Sequence, residues 1–267
     1  MLNIIFIGDI NGKIGREAIK KILPELKREL KPDLVIANGE NMAHGSGLTL
    51  PTVKEMMEAG IDIFTNGDHA FDREKIADLY ASDLPVIRPA NFAEGVPGKG
   101  FLIFEKNGHK FLIINLLGRV FMGMNYDCPF KKLDEILADK NLSKDEFSAI
   151  IVDMHAEATS EKIALGHYGD GRVSACLGTH THVMTADETV TEKGTAFITD
   201  VGMVGAADEC IGVEKEGIIK TFLTQIKQKH VIPEKGRAIF NSVFIAINPK
   251  TKKSTKIKSI TKFVEIK

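Results

Sequence analysis

The chain has 267 residues, 43% of them hydrophobic, and its 35 Lys plus Arg are balanced by 36 Asp plus Glu. That length fits one large α/β domain or two small ones, and the near-neutral balance gives no electrostatic basis for a large nucleic-acid surface or a membrane-surface binder. No apolar run approaches a membrane span, the amino-terminal run is too short for a secretory signal, and the widely spaced Cys128, Cys176 and Cys210 read as reduced thiols of a cytoplasmic protein.

A strand-like run at residues 3–7 leads into Gly8-Asp9-Ile10-Asn11-Gly12. Residues 15–30 place Ala18, Ile22, Leu26 and Leu30 at helical spacing, and Lys31-Pro32 ends that helix because the residue before proline avoids the helical region. A second run at 34–37 precedes Asn38-Gly39-Glu40-Asn41, and a helix is expected from about Pro51 to Gly60. A third run at 61–65 leads into Asn66-Gly67-Asp68-His69, with Asp72 read as the N-cap of a helix reaching about Tyr80. Three βα units in series imply a parallel sheet with right-handed crossovers.

Residues 101–105 and 110–116 flank Asn107-Gly108, the strongest short-hairpin signal. Helices are expected at 130–140 and 160–167. Between and after them, runs at 149–152 and 173–177 lead into Asp153-Met154-His155 and Gly178-Thr179-His180-Thr181-His182. A strand at 195–199 ends at Asp200-Val201-Gly202, and 238–247 and 256–266 form a last hairpin through Asn248-Pro249-Lys250-Thr251. With no repeat and no linker, one domain over 1–267 is expected. Its class is α/β, a mixed β-sheet sandwich with helices outside.

Five segments thus carry metal-type ligands where a strand-like run stops, and in open α/β sheets ligands bind beyond the carboxyl ends of the strands. Each segment alone has a plainer reading. Asp9 suits a glycine turn, Asn38-Gly39 a polar loop, and a single His at a strand end a structural role. His180 and His182 stand two apart, so an extended backbone puts both rings on one face. Together the segments point to a polynuclear site. Carboxylate, amide and imidazole without thiolate suit manganese, iron or zinc. Seven or eight ligands are too many for one tetrahedral ion, and a pair of ions suits displacement at phosphorus. His69, whose ring titrates near neutrality, is a candidate general acid. Asp200 reads as a turn residue or as a partner behind the ligands.

The order of these motifs resembles the calcineurin-like metallophosphoesterases and, within them, the YmdB-like branch of bacterial 2′,3′-cyclic-nucleotide 2′-phosphodiesterases. Arg88-Pro89-Ala90-Asn91, the stretch from Asp153 through Lys162, and Ile198-Thr199-Asp200-Val201-Gly202-Met203 extend the likeness over nearly the whole chain. The resemblance implies an α/β/β/α layering and two divalent ions, iron or manganese. One ion would take Asp9, Glu40, Asn41 and His182; the other would take Glu40, Asp68, His155 and His180, with Glu40 shared and His69 the proton donor. Asp68 departs from the family's usual Gly-Asn-His, which makes the site one charge less positive. The resemblance implies hydrolysis of a small cyclic nucleotide to the 3′-monophosphate. A broader phosphomonoesterase or phosphodiesterase and a metal-holding regulator of low turnover are the alternatives. Base selectivity and oligomeric state stay open, a homo-oligomer included.

Overall fold

The protein is described from a computed structural model covering residues 1–142 and 146–267. In chain order its elements are β1 (Leu2–Ile7), β2 (Asp9–Ile10), α1 (Gly12–Leu30), β3 (Leu34–Asn38), α2 (Leu50–Glu58), β4 (Ile63–Thr65), α3 (Ile76–Tyr80), β5 (Phe101–Lys106) and β6 (His109–Leu117). They continue with α4 (Pro129–Ala138), β7 (Ala149–His155), α5 (Thr159–Gly169), β8 (Ala175–Thr179), β9 (Thr189–Val190), β10 (Ala196–Ile198), β11 (Met203–Ala206), α6 (Lys215–Thr224), β12 (Gly236–Ile247) and β13 (Ser254–Ile266).

The strands make two mixed sheets. One runs β2-β11-β12-β1-β3-β4, with β13 also paired to β12; the other runs β5-β6-β7-β8-β10-β9. Strands β1, β3 and β4 are parallel, as are β6, β7, β8 and β10. Both sheets carry helices on one face, so the central parallel strands are apolar until their carboxyl ends, as buried parallel strands are.

Three apolar clusters define the layers. Leu2, Ile4, Phe6, Leu34, Ile36 and Ile63 of the first sheet meet Phe111, Ile113, Ala149, Ile151, Ala175 and Leu177 of the second. Ile14, Ala18, Ile22 and Leu26 of α1 cover the far side of the first sheet, and Leu133 and Leu137 of α4 with Leu165 of α5 cover the far side of the second. The layering is α/β/β/α, the expected class.

The differences from the expectation concern short or unpatterned segments. Helix α3 begins at Ile76 behind Lys75, which is left-handed at φ 61° and gives no side-chain cap. Asp72 is therefore not the cap: its carboxylate is engaged by His69 and Ser46. β2, β9 and β11 have two to four residues each, too few to register as periodic runs. α6 buries none of its residues and shows no core-facing stripe. The tail hairpin forms as expected, and its place, which the sequence leaves open, is in the first sheet beside β1, with Leu2 opposite Ile247 and Ile7 opposite Ser242.

Candidate metal centre

The site is the place where the face between the two sheets turns polar. Along β7, Ala149 and Ile151 belong to the shared core, and period-two alternation carries the same face on to Asp153 and His155. β3 goes from Leu34 and Ile36 to Asn38, β4 from Ile63 to Thr65, and β8 from Ala175 and Leu177 to Thr179. The four polar ends meet. Asn38 Nδ2 donates to Asp153 Oδ2 at 3.0 Å, Thr65 Oγ1 donates to the same oxygen, and Thr179 Oγ1 donates to Oδ1 at 2.7 Å. Burial pushes the Asp153 carboxyl up in pKa, opposed first by His155 and then by these donors.

The loops beyond these ends deliver the ligand-type groups. The chain passes from β1 to β2 at Gly8, where an added Cβ would lie 1.8 Å from the Gly202 carbonyl oxygen. Only a glycine lets the two backbones approach so closely, and this crossing places Asp9 at the sheet edge. Glu40 Oε1 lies 3.1 Å from His155 Nε2 and 3.1 Å from Asn41 Nδ2, and that Asn41 nitrogen lies 3.1 Å from His182 Nε2. Asp68 Oδ1 is 3.3 Å from His155 Nε2 and 3.6 Å from His180 Nδ1. Glu40, Asp68, His155 and His180 each offer an atom within 4.8 Å of the others'. Asp9 completes the group, with Oδ1 3.8 Å from His155 Nδ1 and Oδ2 accepting the His180 backbone N–H at 3.2 Å. The seven side chains named from the sequence are thus brought to one place: Glu40, Asp68, His155 and His180 form the compact group, Asp9 joins it through His155, Asn41 through Glu40, and His182 through Asn41. His180 and His182 sit at φ 103° and 66°, a conformation non-glycine residues adopt at some strain, as functional loops often do.

Hydrogen bonds aim each imidazole. The Thr179 hydroxyl gives its one proton to Asp153, so at 2.9 Å it must accept from His155 Nδ1–H, which leaves a lone pair on Nε2 facing Glu40 and Asp68. His182 Nδ1 lies 2.9 Å from the Ile211 carbonyl, which can only accept, so its free lone pair is also on Nε2. His180 Nε2 faces Glu157 at 3.3 Å, leaving Nδ1 directed inward. Fixing a ligand's tautomer from behind in this way is typical of metal sites.

Three observations show that the donor set fits cations. His155 Nε2 and His180 Nδ1 point at each other across 3.0 Å, an arrangement that needs a proton or a metal ion between them. In the bare protein a proton fills that need. Burial alone would hold His155 down, but Glu40 and Asp68 outweigh it and push it well up, while burial and His155 bring His180 down to about 4. Next, Asp9 Oδ1 and Asp68 Oδ1 are buried without a well-formed hydrogen bond, their nearest positive group being the shared His155 ring at 3.8 and 3.3 Å, which leaves room for a further cation. Last, a Cβ on Gly67 would fall 1.9 Å from Glu40 Oε2 and 2.3 Å from His155 Nε2, inside the cradle these groups form.

His69 stands beside the centre, 38% exposed, with Nδ1 2.7 Å from Asp72 Oδ2. Burial lowers its basicity, but Glu40, Asp68 and Asp72 together raise it. Asp200 is fully buried and takes Lys162 Nζ at 2.6 Å. It also accepts the Thr181 backbone N–H and hydroxyl at 3.0 and 2.7 Å, so it grips the residue between His180 and His182. Asn38, Thr65, Thr179 and Lys162 were not singled out by sequence reasoning, although alternation along β3, β4 and β8 brings the first three to the inner face. His44, His109, His167 and His230 are not in the group of acidic and imidazole ligand atoms, among the described residues.

Residues 5–260 match the family described as YmdB-like protein. A 2′,3′-cyclic-nucleotide 2′-phosphodiesterase of Bacillus subtilis is 46% identical over 260 residues, spanning 97% of this chain and 96% of that protein. A crystal structure of a novel phosphatase from Mycoplasma pneumoniae superposes with a TM-score of 0.91 at 38% identity, covering 99% of this chain and 94% of that one. The calcineurin-like phosphoesterase YfkN of Bacillus subtilis, at 10% identity and a TM-score of 0.55, shares the fold, covering 99% of this chain and 90% of that one. By the extent of these matches, the chain belongs to the YmdB-like family.

Proposed function

We propose that this chain is a phosphodiesterase that opens 2′,3′-cyclic nucleotides to 3′-monophosphates at a two-metal site. The observation that carries the reading is the facing pair of imidazole nitrogens, His155 Nε2 and His180 Nδ1 at 3.0 Å, ringed by Glu40 and Asp68. Asp9, Asn41 and His182 would hold one divalent ion, Asp68, His155 and His180 the other, and Glu40 both. When bound, such a pair neutralises phosphate charge and acidifies a water between the ions. Carboxylate, amide and imidazole without thiolate suit manganese, iron or zinc, and the family likeness narrows the choice to iron or manganese.

The chain's own residues supply the remaining roles. Asp72 accepts from His69 Nδ1–H and leaves Nε2 to carry the transferable proton. As a water oxygen joins phosphorus, having released one proton to solvent, the bond to O2′ breaks and His69 gives its own proton to O2′. Asn38, Thr65 and Thr179, joined through Asp153, hold the His155 ring in place, and Lys162 with Asp200 holds the loop of His180 and His182. No helix among the described residues is long and apolar enough to cross a membrane. The free thiols of Cys128, Cys176 and Cys210 support a reducing, cytoplasmic setting.

Elemental analysis of the purified protein, coupled to assays on 2′,3′-cyclic AMP, 3′,5′-cyclic AMP and a nucleoside monophosphate, tests the reading. Two ions per chain and preferential conversion of the 2′,3′-cyclic substrate to 3′-AMP are expected. Protein holding both ions but inert toward the 2′,3′-cyclic diester would refute it.

A further inference from the structure

We propose that Phe71, Phe92 and Tyr126 form a nucleobase-binding wall at the edge of the metal centre. The inference rests on the nucleotide-phosphodiesterase reading and adds to it where the base goes. The rings touch in sequence, each one meeting the next. Phe71 and Phe92 meet edge to face with centroids 5.2 Å apart, and Phe92 and Tyr126 likewise at 5.1 Å. The series starts from the loop that bears Asp68 and His69. Phe71 leans on Tyr80 at 5.5 Å, and the Tyr80 hydroxyl accepts from Asn66 Nδ2 and donates to the Ala70 carbonyl.

Its other end is held to the strand beside His155. Asn91 Nδ2 donates to the carbonyls of Leu117 and Asp127 at 2.7 and 2.9 Å, and Asn91 Oδ1 accepts the Leu117 N–H at 2.8 Å. Leu117 is the register partner of His155. One buried amide thus fastens the residues next to Phe92 and Tyr126 to the strand end of a ligand-type histidine.

Core packing does not account for these rings. Phe71 touches the core on the α1 side, but Phe92 and Tyr126 belong to none of the three apolar clusters, and all three rings are half-exposed. Tyr126 ends the series with a single ring contact and is partly exposed, so it is not sandwiched between two aromatic rings. Tyr126 also lies within the field of the centre. Burial first, then the charges of Asp68, Glu40 and Asp72, hold its phenol above its ordinary pKa. A flat, neutral aromatic group tethered to a phosphoester is the ligand that matches such a surface, because stacking accepts any base. Purines, with more area to overlap, should gain more than pyrimidines.

The test uses the metal-loaded protein and two substrates, adenosine 2′,3′-cyclic monophosphate and the base-free ribose 2′,3′-cyclic phosphate. Phe92→Leu and Tyr126→Leu should raise KM for the nucleotide about tenfold or more, leave kcat within about twofold, and leave KM for the base-free diester unchanged. A second measurement needs no substitution. With only three tyrosines in the chain, fluorotyrosine labelling should show the Tyr126 resonance shifting with adenosine 3′-monophosphate and not with ribose phosphate. An unmoved resonance, or equal losses on both substrates, overturns the wall. A base-dependent shift in protein that turns over neither diester keeps the wall and overturns the catalytic reading instead.

Discussion

Gly67→Ala separates the metal cradle from the fold that carries it. The new Cβ would stand 1.9 Å from Glu40 Oε2 and 2.3 Å from His155 Nε2. Ordinary contact is about 3.5 Å, so both ligand atoms must retreat by more than about 1 Å. Neither is free to do so cheaply, because Glu40 and His155 are 1% and 0% exposed. A misplacement of about 1 Å at a reacting centre lowers rate on the order of a hundredfold, or roughly 2.7 kcal/mol in the barrier. The backbone raises no separate objection: Gly67 is not among the residues at positive φ, so alanine meets no conformational strain there. The fold should lose only about 1–3 kcal/mol from overpacking. Metal content per chain, initial rate on the cyclic diester and a urea melt of the metal-free protein read the three effects separately. Shortening the neighbouring side chain in Gly67→Ala/Glu40→Asp should restore part of the metal content. Two tightly held ions and a rate within about threefold of the parent in Gly67→Ala would show the cradle to be drawn wrongly.

Thr179→Val removes the hydroxyl between Asp153 and His155 and should weaken metal affinity by about 10–100-fold with little change in volume; chelator competition reads it, and unchanged affinity would deny the tautomer role. Lys162→Met leaves Asp200 buried without its cation and should destabilise by about 3–5 kcal/mol, while adding Asp200→Asn should recover more than half; a urea melt without recovery in the double variant would contradict the pairing. Burial, against His155 and His182, raises Asp9 to about 7 in the bare protein, above its ordinary 3.8. The metal-free fold then holds a proton the unfolded chain has lost, so this carboxyl's share of stability declines as pH rises from about 4 to about 7. Asp9→Asn should flatten that decline, and parallel slopes for the two proteins between pH 5 and 8 would count against it. Asp68→Asn makes the centre one charge more positive and should move the rate profile to lower pH; an unmoved profile at full metal occupancy would exclude the charge argument.

Much of the site was legible because strand alternation and ligand chemistry coincide. Polar residues at or just past the ends of apolar runs, at Asn38, Asp68 and His155, pointed to the place where the ligand-type groups gather; His180 and His182 also arrive there, but from left-handed backbone beyond β8 rather than from the extended segment expected. The residues that aim them were not legible in the same way. Thr179 looks like any loop threonine until the second sheet brings Asp153 and His155 against it. Lys162 reads as a solvated helix residue, yet it is 1% exposed because Asp200 arrives from a distant strand. Asp72 has the ideal composition for a helix cap, but its carboxylate is claimed by His69, three residues before it, and by Ser46 from the loop after β3. Local propensity lost there to contacts made across the chain. The place of β12 in the middle of the first sheet was likewise invisible, since a hairpin signal says nothing about which strand lies beyond it.

The knot of Asn38, Thr65 and Thr179 on Asp153 ties one layer of the molecule to the other directly beneath the ligands. Sliding the layers past each other by even part of a residue would strand a buried carboxylate. Alignment of the layers and readiness to hold ions are therefore a single mechanical coordinate. Damage to the apolar filling far from the centre, such as truncating Phe6, should announce itself as leakage of metal before the chain unfolds.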